Sequence, residues 1–324
     1  MNVIENVNSF DKPTWLKTDY PILVLDNFIT ETECQKLIKA GEKTLSLKNN
    51  KDYIHGGRIM IPWTSQTFNE LKSKSNLWSN FSERFQKETY EIFKKNISNN
   101  EFNTFYPGVS KKEIQECFLK ASDHYSFRKK FFNKRLLKKY ESFLEKKIKN
   151  SNLQSLIFHA ALLIIESSWR KIISLIDFIK NDKPLLPLFD YSISNDGYAR
   201  EIHRDSDNRF LVVLLYLNEL DPNTEGGDLQ IFKLKPSYSC KSGNNLFPPR
   251  PSDKFCTLQY KIKPRSGRLI MFLNQFNSYH GVSEMKNHRI PRHFLYGGFT
   301  FPSSIFVSRE RLLSKSMPTE MSLY

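Results

Sequence analysis

Between Leu188 and Phe301 the chain is written as short apolar runs broken by turn residues, and no other feature restricts its fold as much. The runs are FLVVLLYLNEL (210–220), GGDLQIFKL (226–234), CTLQYKI (256–262), GRLIMFL (267–273) and RHFLYGGFTF (292–301), with Gly, Pro, Asn or Asp between them. They have the length of strands, and a series of them argues for an all-β barrel or a double-sheet sandwich. Near the N-terminus YPILVLDNF (20–28) reads as another buried strand, entered at a proline and ended by the Asp26–Asn27 turn. Thr30 then caps a helix, with Glu33 as its capping-box partner and Cys34, Leu37 and Ile38 on the apolar face. Residues 48–64 are loop-like and contain glycine. Leu77–Lys95 forms a second amphipathic helix, because Phe81, Phe85, Tyr90 and Phe93 recur at helical spacing.

The 324 residues carry 49 Lys and Arg against 34 Asp and Glu, a formal charge of +15, and 14% are aromatic. That aromatic content excludes wholesale disorder, and 12 Gly with 15 Pro excludes a collagen-like chain. The charge is uneven: 111–150 holds 13 basic and 5 acidic residues with helical periodicity and no strong breaker. The stretch continues as a more apolar helix to about 180. Its greasiest part, LIFHAALLIIESSW (156–169), is interrupted by His159 and Glu166 and falls short of the roughly 20 apolar residues a membrane span needs. Four cysteines (Cys34, Cys117, Cys240, Cys256) show neither zinc-ligand spacing nor a disulfide framework. With no signal-peptide pattern at the N-terminus, the expected location is cytoplasmic. The expected organisation is an N-terminal flanking region of helices and strands (1–110), a basic helical insertion (111–180), a β core (188–308) and a C-terminal tail (309–324).

The chemistry concentrates in EIHRDSD. In an extended segment His203 and Asp205 emerge on one face roughly 6.6 Å apart, able to share a metal. An HxD pair alone is equally a surface hydrogen-bonding pair, so a third ligand is required. His280, in SYHGV after the strand GRLIMFL, is the strongest candidate, since residues 77 positions apart can sit on neighbouring strands of a sandwich. Two histidines and a carboxylate form the facial triad that binds non-haem Fe(II) and leaves coordination positions open. Arg292 begins a strand, where a guanidinium is costly unless it meets an anion, and a dicarboxylate would supply one. Arg289 is the competing anchor. The remaining histidines, His55, His124, His159, His288 and His293, lack ligand-like spacing.

These segments, in this order, resemble the iron(II)- and 2-oxoglutarate-dependent oxygenase superfamily, in its prolyl-4-hydroxylase-like branch. The similarity runs through PILVLDNFITETECQKLI, DGYAREIHRDSD, VVLLYLNEL, GGDLQIF, KPRSGRLIMF, SYHGVSEM and RHFLYGGF, covering 20–42 and 188–301. The resemblance implies an α+β chain with a double-stranded β-helix core (jelly-roll, cupin-like), flanking helices and a helical insertion that has no counterpart. It implies that His203, Asp205 and His280 bind Fe(II), and that Arg292 clamps the distal carboxylate of 2-oxoglutarate. Tyr216 would contact that carboxylate too, with Tyr191 and Tyr198 as pocket tyrosines and Val282 as an apolar wall. O2 is then the oxidant, ascorbate a reductant, and succinate and CO2 the co-products. Because Asp205 keeps the acid that related halogenases replace by Gly or Ala, hydroxylation is favoured over halogenation.

The acceptor stays open between a peptidyl, proline-like residue and a small molecule. Loop 48–64, with His55, Gly56, Gly57, Arg58 and Trp63, and the connection 235–255 are the candidate entrance segments. A different class of function also fits the composition. The segment RKKFFNKRLLKKY, with Lys129, Lys130, Lys134 and Arg135, interleaves basic and aromatic residues as a nucleic-acid surface does. A solvated helix face has the same pattern, and no helix-turn-helix or zinc-finger signature accompanies it. An anionic partner at this insertion is the corresponding expectation.

Overall fold

The computed structural model describes residues 10–45, 54–55, 57–63, 65–97, 100, 186–205, 209–235, 250–274 and 277–300. The basic insertion and the C-terminal tail expected from the sequence lie outside them, as do Cys117 and Cys240. The N-terminal elements are β1 (Thr14–Leu16), β2 (Ile22–Leu25), α1 (Glu31–Leu45), β3 (Ile54–His55), β4 (Arg58–Pro62), α2 (Gln66–Lys74) and α3 (Asn76–Asn96). Then come β5 (Leu186–Ser194), β6 (Arg200–His203), β7 (Arg209–Tyr216) and β8 (Leu229–Leu234). The last strands are β9 (Cys256–Ile262), β10 (Leu269–Leu273), β11 (His280–Val282) and β12 (Arg292–Thr300).

Among the described residues the strands make two sheets. The larger has the order β1-β2-β10-β7-β12-β5-β4-β3 and the smaller β6-β11-β8-β9. Neighbours pair antiparallel throughout. The chain is therefore α+β, a jelly-roll core with helices against one side.

The large sheet is covered on both faces, which is why its central strands read as continuous apolar runs. Period-two alternation sorts their side chains between two compartments. Leu211, Val213 and Leu215 of β7, with Leu269, Met271 and Leu273 of β10, join Leu37, Phe68, Trp78, Phe81 and Phe85 beneath the helices. Val212, Leu214 and Tyr216, with Ile270 and Phe272, face Leu229, Ile231 and Ile262 in the space between the sheets. The helices present aromatic stripes to this sheet: Trp78 is buried and its indole N–H donates to the Leu37 carbonyl (2.9 Å). Thr30 caps α1 as its sequence requires, its hydroxyl accepting from the Glu33 N–H at 3.2 Å.

Four elements depart from the sequence expectation. Residues 54–55 and 58–62 are strands, not a loop. β3 and β4 extend the large sheet through five register pairs with β5, from Arg58↔Ser194 to Pro62↔Asp190. Trp63, expected at an entrance, is buried in the helix-side core and stacks on Phe68 with centroids 5.1 Å apart. β1 and α2 carry too few apolar positions to announce themselves: β1 is fixed by pairing with β2, and α2 is bounded by Ser65, whose side chain accepts from the Phe68 N–H, and by Ser75.

The turn residue Asp26 does more than end β2. It is buried with Arg268, whose Nε donates to Oδ1 at 2.6 Å and whose Nη2 donates to Oδ2 at 2.9 Å; the Phe10 N–H adds a third bond at 2.9 Å. Burial pushes the carboxyl upward, but the Arg268 hydrogen bond, the Phe10 N–H and the charges of Arg268 and Arg265 outweigh it and hold the pKa below the ordinary value. A depressed folded-state pKa contributes stability that is complete above the unfolded value of about 3.9. That contribution disappears as pH falls through the lower folded value. Asp26→Asn should therefore flatten the acid limb of a plot of stability against pH and lower stability at neutral pH. Urea melts across the acid range check this; an unchanged acid limb would contradict it.

Candidate active site

The site forms where the small sheet faces the interior side of β12. His203 ends β6 and His280 begins β11, and the two are paired directly across the ladder. Their rings approach to 4.4 Å between centroids. Gly281 permits this closeness, since a Cβ there would sit 2.8 Å from the Arg200 carbonyl oxygen. Phe272 of β10 packs edge-on against the His280 ring at 5.0 Å and holds it from the interior side. Asp205 follows two residues after His203, just past the end of β6. One ligand atom from each of these three side chains lies within 4.8 Å of the others.

The hydrogen bonds fix which ring nitrogens are available. His203 Nδ1 lies 2.8 Å from the Glu201 carbonyl and His280 Nδ1 lies 3.0 Å from the Ser278 carbonyl. A carbonyl only accepts, so each Nδ1 carries the proton and each Nε2 presents its lone pair. His280 Nε2 is buried without a hydrogen bond. Burial, reinforced by neighbouring His280, pushes the His203 pKa down to about 3; burial lowers that of His280 as well. Both rings are neutral at neutral pH. Burial acts to raise the Asp205 carboxyl, but the Arg209 charge, both histidines and the Tyr296 hydroxyl outweigh it and hold the pKa at about 2. Tyr296 donates its hydroxyl between the two carboxylate oxygens, at 2.6 and 2.7 Å. Two neutral imidazole nitrogens and one carboxylate, with an orphaned buried Nε2 among them, form a donor set that fits a divalent transition metal.

Such a triad also suits zinc, and the residue beside it narrows the choice. Arg292 is 1% exposed. Its Nη1 donates to the Gly227 carbonyl at 2.8 Å and its Nε to Ser194 Oγ at 3.2 Å. Gly227 has φ +76, a left-handed conformation that glycine adopts without strain and that orients this carbonyl. The rings of Phe294, Tyr198 and Tyr216 surround the guanidinium, with centroids 4.9, 5.0 and 5.9 Å away. No carboxylate among the described residues lies within ion-pair distance, and burial pulls the pKa of Arg292 below the ordinary arginine value. A buried cation with dipolar partners only is a receptor for an anion.

The other sequence candidates divide. Tyr198 and Tyr216 face the guanidinium as described. Val282 lies on β11 beside the triad, opposite Leu229 of β8. Tyr191 belongs to the opposite face of the large sheet and is corrected here. As an odd-numbered residue of β5 it points under the helices, where its hydroxyl lies 2.7 Å from His293 Nδ1. Arg289 is exposed in a loop, its backbone N–H donating to Asp221 Oδ2 at 2.7 Å, so the interior guanidinium is that of Arg292. His288 is buried against Thr224, with Nδ1 2.8 Å from its hydroxyl. Sequence reasoning missed Tyr296, Arg209 and Ser194. The alternation that places Arg292 inward also places Tyr296 there, so that residue was recoverable.

Residues 189–297 match the model of the 2OG-Fe(II) oxygenase superfamily. A prolyl-4-hydroxylase from Pseudomonas putida is 12% identical over 88% of this chain and 95% of its own, with a TM-score of 0.39. A viral collagen prolyl hydroxylase from Paramecium Bursaria Chlorella virus-1 is 13% identical over 93% of this chain and all of its own (100%), with a TM-score of 0.33. A prolyl hydroxylase from Trichoplax adhaerens, in complex with a hypoxia inducible factor peptide fragment, is 19% identical over 43% of this chain and 56% of its own, with a TM-score of 0.23. No curated protein matches the chain in sequence. Among the described residues no helix is long and apolar enough to cross a membrane.

Proposed function

We propose, on the premise that residues 189–297 are a 2OG-Fe(II) oxygenase domain, that the protein is an Fe(II)- and 2-oxoglutarate-dependent dioxygenase. It hydroxylates an unactivated C–H bond of a peptidyl, prolyl-like residue or of a small molecule, releasing succinate and CO2. One observation carries this reading: a His-Asp-His triad shares the sandwich interior with a buried guanidinium that has no carboxylate partner among the described residues.

His203 Nε2, His280 Nε2 and the Asp205 carboxylate would hold Fe(II). Bound there with 2-oxoglutarate, the metal supplies the O2 activation that amino-acid side chains cannot perform. The chain's own residues do the rest. The Glu201 and Ser278 carbonyls hold the histidines in the tautomer that exposes Nε2. Tyr296 fixes the rotation of Asp205 through both oxygens. Gly227 and Ser194 aim the Arg292 guanidinium, leaving it to donate to the far carboxylate of 2-oxoglutarate in a water-poor setting. Tyr198 and Tyr216 wall that end of the cosubstrate, and Val282 borders it.

Succinate formation tests the reading. Turnover should require Fe(II), 2-oxoglutarate and O2 together, with ascorbate as added reductant, and should rise when an acceptor from a panel of peptides, amino acids and sugars is present. A folded protein that forms no succinate under any of these conditions contradicts it.

A further inference from the structure

Three guanidinium groups, not one, stand along the interior face of β12. Its inward side chains are Arg292, Phe294 and Tyr296, in that order. Arg58 of β4 lies over both aromatic rings, its Cζ 5.5 Å from the Phe294 centroid and 5.0 Å from that of Tyr296. Arg209, at the start of β7, lies 5.4 Å from the Tyr296 centroid. Arg292 takes the cosubstrate in the reading above, while Arg58 and Arg209 have no task in it.

Their contacts are incomplete. Arg58 Nη1 donates to the Tyr198 hydroxyl at 3.4 Å and its Nη2 is 3.6 Å from Asp190, too long for a good hydrogen bond. Arg209 Nε is 3.7 Å from Asp205 Oδ2, whose charge a metal would claim. Arg58 Nε, Arg209 Nε and Arg209 Nη1 are buried and make no hydrogen bond. Buried donors of this kind call for an acceptor.

The charges point the same way. Among the described residues, three guanidinium groups meet two carboxylates, Asp190 and Asp205, so positive charge is in excess. A divalent metal and the dianion of 2-oxoglutarate cancel, so the excess persists in the loaded site. The next carboxylate, Asp228, has Lys263 and Lys261 as its principal charged neighbours. Arg200 adds further positive charge on the histidine side. An anionic acceptor would offset part of this excess.

We propose that Arg58 and Arg209 form the acceptor subsite, and that the acceptor is a small molecule with a carboxylate close to the carbon that is hydroxylated. This rests on the oxygenase reading and narrows its acceptor class. A carboxylate matches the planar guanidinium, and the Phe294 and Tyr296 rings between the arginines offer apolar surface to the remainder of such an acid.

The test uses the whole protein loaded with Zn(II) in place of iron, so that binding is read without turnover. A first titration with 2-oxoglutarate establishes that the loaded site exists. Calorimetry then follows free amino acids and short-chain carboxylic acids, each against its primary amide, and acidic peptides against their amidated forms. At least one free acid should bind about tenfold or more tightly than its amide, as expected when a buried charge keeps its partner. Arg58→Gln and Arg209→Gln should each erase that preference. The subsite is overturned if wild-type protein prefers no acid over its amide, if only peptides show the preference, or if the preference survives both substitutions. The wild-type comparison decides even where a variant does not fold. Absence of 2-oxoglutarate binding in the first titration would remove the parent reading, and the subsite with it, at a separate and visible step.

Discussion

His280→Ala should abolish tight Fe(II) binding, and with it all metal-dependent binding of 2-oxoglutarate. Removing a residue that only orients a metal ligand costs 10–100-fold in affinity as a rule, so loss of a direct ligand should exceed about 100-fold. The geometry offers no substitute: among the described residues His203, Asp205 and His280 are the only cluster of three ligating side chains. His280 is also buried against Phe272, so the alanine variant loses packing, and circular dichroism must first show that it is folded. Equilibrium dialysis with Fe(II) under anaerobic conditions then gives the affinity. A folded His280→Ala that binds Fe(II) as wild type does would remove this residue from the metal site.

Arg292→Leu should separate the two ligands. Its Nε and Nη1 are engaged by Ser194 and Gly227, so under the proposed function the guanidinium acts on the metal site only by receiving the cosubstrate. Truncating one partner of a buried, hydrogen-bonded charge pair costs about 2–5 kcal/mol, or roughly 30- to several-thousand-fold in affinity. Fe(II) affinity should stay within about threefold of wild type, because the triad takes no hydrogen bond from Arg292. Thermal stability gives an independent readout. Saturation of the metal-loaded wild type at 100 times Kd should add about 2.7 kcal/mol of stability, and the same concentration should add about 0.9 kcal/mol or less to the variant. Equal stabilisation of both proteins would show that 2-oxoglutarate does not bind through Arg292.

How legible this was depends on the range of the forces involved. β7, β10 and β12 were readable because burial on both faces of the large sheet demands unbroken apolar runs. Helix α1 announced itself by Thr30 and Glu33, a signal confined to one turn. β4 did not: RIMIP follows two glycines and ends in proline, and it becomes a strand only through pairing with β5, more than a hundred residues away. The metal triad was legible as residue types, whereas its convergence depends on the His203↔His280 register, which no local pattern encodes. Tyr191 shows the converse, a tyrosine assigned to the pocket that strand alternation sends to the opposite face. Arg58 and Arg209 approach Tyr296 from two different strands, and only the assembled sandwich reveals that their charges share one space.

The proposed function requires one site that holds both a metal and a chelating dicarboxylate beside it. An anaerobic titration of the Fe(II)-loaded protein with 2-oxoglutarate tests it most directly. The account predicts a visible metal-to-ligand charge-transfer band that saturates with 2-oxoglutarate, disappears in His203→Ala and shifts to much higher concentration in Arg292→Leu. A folded, Fe(II)-loaded wild type that gives no such band at any concentration of 2-oxoglutarate would contradict it.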